Sequence, residues 1–249
     1  MKIKILEDRI GLGKAAAQYC AEIINQAIAR KGKARIVLST GASQFDTIKE
    51  LAKADIRWEN VEMFHLDEYI DLPETHPASF RKYLKERFIS QVPIKKYHLV
   101  NGEENPQEVI GALTEEIRKE PIDIGLIGIG ENAHIAFNDP PADFDTKEAF
   151  ICVDLDNACK QQQVREGWFA GIDDVPKQAI SMTVYQIMQC NCIVSCVPSA
   201  VKAKAIKDML KSPLDNMIPA TMLKEHPDAV LFLDRESASL INPNVTEII

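Results

Sequence analysis

Ile122-Asp-Ile-Gly-Leu-Ile-Gly-Ile-Gly-Glu-Asn-Ala-His-Ile-Ala-Phe-Asn-Asp-Pro140 decides the fold. The apolar run from Ile122 to Ile127 has the length of a buried strand and is bounded by a glycine-rich turn. Asn138-Asp139-Pro140-Pro141 then stops any helix after about one turn. In an open α/β sheet, ligands bind just outside the carboxyl ends of the strands. The turn delivers three groups there that hold or move protons: Asn132, His134 and Asp139.

Working outward, apolar runs alternate with amphipathic stretches. Gly11 to Arg30 carries Ala15, Ala16, Cys20, Ile23, Ile24 and Ala27 at helical spacing. Strands are expected at Arg35–Ser39, Val61–Leu66, Tyr97–Val100, Phe150–Leu155, Ala179–Thr183, Cys192–Val197 and Ala229–Leu233. Helices are expected at Gln44–Lys53, with Ser43 as N-cap, and at Ala78–Phe88, Pro106–Lys119 and Ser199–Lys211, with a short one from Pro219. This alternation predicts an α/β protein: an open, mostly parallel, doubly wound (Rossmann-like) sheet with helices on both faces. The strands at Phe150 and Ala179 are read as part of its second half, and Asn242–Ile249 as a loosely held tail.

With 249 residues and 46% hydrophobic content, residues 1–249 are expected to form one domain. A formal net charge of −8 argues against a nucleic-acid partner, while leaving room for a local cationic pocket. No apolar run approaches a membrane span, and Met1-Lys-Ile-Lys-Ile-Leu-Glu reads as a first strand, so the expected address is cytoplasmic. Cys190, Cys192 and Cys196 would share one strand face and pack as small hydrophobes; no metal site is expected.

Four clusters fall at strand ends. Thr40-Gly41-Ala42-Ser43 exposes backbone N–H groups that favour a phosphate. Asp67-Glu68-Tyr69 follows a buried strand, where a sheltered carboxylate becomes a better base. Gly128-Ile-Gly130-Glu-Asn-Ala133 has the G-x-G-x-x-A shape of a dinucleotide site, with Asp154 near the position of a ribose-binding acid. The proline stop denies that site its crossover helix, so the glycines are read as admitting backbone close to a small ligand. Lys202, in the first turn of a helix, can reach an anion held at the same end, and Arg165 is a second cationic candidate.

Taken together, these residues resemble the glucosamine-6-phosphate deaminase (isomerase) family. The resemblance runs from Thr40-Gly41 through Leu66-Asp-Glu-Tyr69, Leu72-Pro73 and His76-Pro77. It continues with Gly-x-Gly-x-Asn-x-His-Ile-Ala-Phe-Asn-Asp-Pro at 128–140, Val175-Pro176 and Lys202-Ala203. Two departures stand out: the family usually has Gly where Ala133 stands and Glu where Asp139 stands. The resemblance implies a cofactor-free aldose–ketose isomerisation with loss of ammonia from a small-molecule hexosamine phosphate, and it leaves a homo-oligomer open. His134, oriented by Asn132 and Asp139, would open the pyranose ring, and Asp67 would move the C2 proton to C1. Thr40, Gly41, Ala42, Ser43, Glu68, Gly130, Arg165 and Lys202 would bind the substrate. The rivals are a 6-phosphogluconolactonase of similar architecture and a non-catalytic sugar-phosphate sensor.

Overall fold

The computed structural model describes residues 1–241 together with 247 and 248. The expected loose tail at 242–249 lies largely outside the described residues. The strands are β1 (Lys2–Leu6), β2 (Ala34–Leu38), β3 (Val61–His65), β4 (Asp67–Tyr69), β5 (Lys96–His98), β6 (Ile124–Leu126), β7 (Phe150–Asp154), β8 (Gln178–Met182), β9 (Ile193–Val197), β10 (Ala229–Asp234) and β11 (Glu247–Ile248). The helices are α1 (Arg9–Lys31), α2 (Phe45–Leu51), α3 (Phe80–Arg87), α4 (Pro106–Ile117), α5 (Asn157–Arg165), α6 (Val184–Ile187) and α7 (Ala203–Lys211).

Eight strands form one sheet in the order β11-β1-β10-β9-β6-β2-β3-β5, and every pairing in it is parallel. The core strands β2 and β9 are buried at every position, as a parallel sheet covered on both faces requires. Two apolar layers cover it. Leu12, Ala16 and Ile24 of α1, Ile48 of α2 and Leu84 of α3 pack on one face against Ile36, Met63 and Phe232. Leu113 of α4 and Ile206 of α7 pack on the other against Val37, Phe64 and Leu231. Among the described residues no helix is long and apolar enough to cross a membrane.

The chain winds outward from β2 to β3 and β5, then returns to place β6 on the opposite side of β2. The loops leaving β2 and β6 therefore part at the carboxyl edge and open a crevice there.

Five expectations need correction. The strands at Phe150 and Ala179 do not join the parallel sheet; β7 and β8 pair antiparallel and continue onto β4 as a separate three-stranded sheet. The seam is Leu66, whose N–H donates to Leu38 of the main sheet while its carbonyl accepts from Met182 of the small one. Ser43 caps nothing: residues Ala42–Gln44 form a 3₁₀ turn, and α2 starts behind it without a side-chain cap. The helix expected from Ser199 begins as a 3₁₀ turn at Ala200–Lys202 before α7, and the segment from Pro219 is 3₁₀ throughout. Cys190 precedes β9 and packs in the opposite apolar layer from Cys192 and Cys196. Burial pushes all three thiols up to about 12, as expected of packing groups.

Candidate active site

The loops leaving β2, β3, β6 and β9 enclose a cavity of about 460 Å³ at the switch point. Thr40, Gly41, Ala42, Ser43, Asp67, Gly130, His134, Arg165 and Lys202 all line it. Asn132, Asp139 and Glu68 do not.

The glycine turn is a scaffold for His134. Gly130 N–H donates to the His134 carbonyl at 2.9 Å, and Ala133 N–H donates back to Gly130 at 3.1 Å, so the turn closes on itself. A Cβ built on Gly130 would overlap the imidazole ring, so this glycine seats the histidine by having no side chain. Behind the ring, Asp139 Oδ1 lies 3.0 Å from His134 Nδ1, although the pair is not aligned for a linear hydrogen bond. Asn132 Nδ2 donates to the same oxygen at 3.1 Å, and its Oδ1 accepts from the His134 backbone N–H at 3.2 Å. Burial works to raise the Asp139 pKa, but the neighbouring imidazole and Asn132 outweigh it and hold the carboxyl below its ordinary value. Asn132 and Asp139 thus sit behind His134 and orient it.

Asp67 and Glu68 follow the seam at Leu66. Successive strand residues face opposite ways, and this separates the two acids. Asp67, 6% exposed, turns to the cavity. Burial, with the negative charge of Glu68 beside it, pushes its pKa up to about 8. Glu68, fully buried, turns the other way. Its carboxylate accepts from Ser79 Oγ and Arg81 N at 2.9 Å each and pairs with Arg81 Nε at 3.3 Å. It caps the first turn of α3 and does not reach the cavity, which corrects its expected role as a substrate ligand.

The turn after β2 is pinned from inside by Gln44, whose Nε2 donates to Ser43 Oγ and to the Cys196 carbonyl of β9, each at 2.9 Å. The hydroxyls of Ser39 and Thr40 are buried and find no partner among the described residues. Lys202 lines the same cavity. It is 7% exposed, its pKa is lowered by burial, and among the described residues it makes no ion pair. A desolvated ammonium and two unsatisfied hydroxyls lining one cavity offer a binding place for an anion. Arg165 stands at the mouth, half-exposed and paired with Glu131.

Sequence reasoning missed Arg9, Gln162 and an aromatic wall. Phe45 and Tyr83 stack at 4.7 Å, with Trp168 edge-on to Phe45 at 6.3 Å, and all three line the cavity. Phe45 directly follows the turn after β2, which is its only local signal. Elsewhere, Glu62, His98 and Glu116 form a cluster of metal-ligand types. Lys96 Nζ and Arg35 Nε already neutralise Glu62 at 2.7 and 2.8 Å, so cations of the protein fill it.

The sequence profile described as glucosamine-6-phosphate isomerases/6-phosphogluconolactonase matches residues 7–232. A glucosamine-6-phosphate deaminase of Streptococcus pneumoniae serotype 4 is 32% identical over 242 residues, covering 97% of this chain and 100% of that protein. Among solved structures, a monomeric glucosamine-6-phosphate deaminase superposes with a TM-score of 0.89 at 28% identity, over 96% of this chain and 100% of the other. The 6-phosphogluconolactonase of Thermotoga maritima shares the fold, with a TM-score of 0.78 at 18% identity over 94% and 99% of the two chains. Matched from just after β1 into β10 and carrying its motifs around one cavity, the chain belongs to the glucosamine-6-phosphate isomerase/6-phosphogluconolactonase family.

Proposed function

We propose that the protein is a cofactor-free hexosamine-6-phosphate isomerase and deaminase, converting glucosamine 6-phosphate and water to fructose 6-phosphate and ammonia. The observation that carries this reading is the shared cavity of a sheltered carboxylate, Asp67, and an oriented imidazole, His134. The near full-length likeness to glucosamine-6-phosphate deaminases supports it.

In this reading His134 passes a proton from the C1 hydroxyl to the ring oxygen, opening the pyranose. Asp67 removes the C2 proton from the open-chain form and returns it at C1. The double bond then lies between C2 and nitrogen, water adds at C2, and ammonia leaves. A carboxyl with a pKa near 8 is matched to carrying a proton off one carbon and onto another near neutral pH. The 6-phosphate takes the turn from Thr40 to Ser43 together with Lys202 and Arg165. Binding at that remote end aligns the reacting carbons with Asp67. All of these groups come from one chain, as the monomeric state of the solved deaminase would require.

A lactonase needs a base for water but no proton transfer between adjacent carbons. Purified protein supplied with glucosamine 6-phosphate should release ammonia and fructose 6-phosphate in equal amounts. It should exchange the C2 proton with solvent, and Asp67→Asn should abolish the exchange. Hydrolysis of 6-phosphogluconolactone without ammonia release, or tight binding of hexosamine phosphates without turnover, would refute the proposal.

A further inference from the structure

Three cationic side chains border the cavity: Arg9, Arg165 and Lys202. They are not equally available. Lys202 stands free of ion pairs among the described residues, whereas Arg9 Nε is held by Asp46 at 2.7 Å. Arg165 Nη2 is held by Glu131 Oε2 at 2.6 Å. Glu131 differs from Asp46 in its place: it sits in the glycine turn itself, one residue after Gly130 and three before His134. It also lines the cavity and lies within electrostatic reach of Lys202, as does Glu166.

We propose that Glu131 is an affinity- and specificity-determining residue, an internal counter-ion that occupies Arg165 until a phosphate group displaces it. A guanidinium engages phosphate through the same forked N–H groups that bind a carboxylate, so one Arg165 cannot serve both fully. The exchange is feasible because the pair is weak. Arg165 and Glu131 are 55% and 29% exposed in their side chains. Exposed pairs of this kind contribute little, unlike a buried bridge, which resists opening. The exchange is also selective. Glu131 repels any anion approaching Lys202, and a monoanion recovers at Arg165 only what the carboxylate already supplied. A phosphate dianion brings a second charge and so outcompetes it.

The inference rests on the deaminase reading only in taking a phosphate into this cavity, and its test does not need turnover. Inorganic phosphate serves as the probe, with its Kd measured by titration calorimetry on the full chain. Glu131→Gln should lower that Kd, and with it the KM for glucosamine 6-phosphate, by on the order of 2–5-fold, the equilibrium equivalent of an exposed pair. Glu131→Ala should move both in the same direction. In an Arg165→Ala background the gain from Glu131→Gln should fall to less than half. A Kd for phosphate that rises or stays level in Glu131→Gln would overturn the proposal. So would a gain of equal size with and without Arg165, since that would be simple repulsion without exchange. Should phosphate binding respond as expected while no ammonia is released from any hexosamine phosphate, the deaminase reading fails and the role of Glu131 stands.

Discussion

The imidazole of His134 occupies the space that a side chain on Gly130 would fill. The glycine is therefore required by the position of the His134 ring rather than by a left-handed backbone. Gly130→Ala should leave the sheet intact, because the clash is with one ring at the edge of the crevice. The ring must move to make room, and a misplacement of about 1 Å costs ~10²-fold in rate. Ammonia release by Gly130→Ala should fall by at least that order while circular dichroism is unchanged. Activity within a few-fold of wild type would show that His134 is not held where the reaction needs it.

Asp67 carries a stability cost with a definite sign. Burial, with Glu68 beside it, raises its pKa from 3.8 to about 8 in the folded chain. Below its unfolded pKa the group is protonated in both states and has no effect. As pH rises above that value the unfolded chain ionises first, so destabilisation grows until the folded carboxyl also ionises near pH 8. The full cost is on the order of several kcal/mol. Asp67→Asn should be more thermostable than wild type, with a larger gain in Tm at pH 8 than at pH 5. Equal gains at the two pH values would mean that Asp67 is ionised throughout. The wild-type rate should climb with pH through the same region as the base loses its proton.

These two acids also show where sequence reading stops. The glycine turn was legible because a buried run, three glycines and a double proline leave few alternatives at 122–141. The parallel sheet followed from the alternation of elements. The second sheet did not, because only Leu66 separates β3 from β4 and the pair reads as one strand running into a loop. Without the pairing of β4 to β8, nothing assigns Asp67 to the cavity and Glu68 to the cap of α3. Arg9 was hidden for a related reason: it falls between the first strand and the helical pattern from Gly11, at the start of α1 that Asp8 caps. Only the tertiary fold carries Arg9 to the rim.

Ala133 has a left-handed backbone, φ +65°, inside the turn that positions His134. A residue with a Cβ there loses roughly 1–2 kcal/mol, whereas glycine adds ~0.5–1 kcal/mol of unfolded-state entropy to be overcome. The first effect is the larger, so Ala133→Gly should stabilise the protein by about 0.5–1 kcal/mol. For a chain of this size that is a rise in Tm of roughly 1–4 °C by calorimetry. A fall in Tm would show that the Ala133 methyl, buried in the apolar layer shared with α4 and α7, contributes more by packing than its backbone loses.

Asp139 stands where the family pattern has the longer Glu, and its surroundings show what the shorter acid is fitted to. Oδ1 already meets both His134 Nδ1 and Asn132 Nδ2, at 3.0 and 3.1 Å, while Oδ2 is buried without a partner among the described residues. The side chain is 9% exposed, so an added methylene has little room to swing outward. Asp139→Glu would carry the carboxylate about 1.5 Å along its chain direction, roughly one bond length. It must then either push the imidazole forward or break the contact to Asn132. Both change the orientation of His134, and the expected result is a kcat lower by ~10–10²-fold. In the proposed reaction, Asp139→Asn keeps the length and loses the charge that would stabilise a protonated imidazole during ring opening. Supplying substrate already in the open-chain form should therefore restore much of its rate. A double-mutant cycle with Asn132→Ala separates the two effects: if Asp139→Glu acts by breaking the Asn132 contact, its penalty shrinks once Asn132 is gone. An Asp139→Glu enzyme faster than wild type on every hexosamine phosphate would show instead that the site is built for the longer acid.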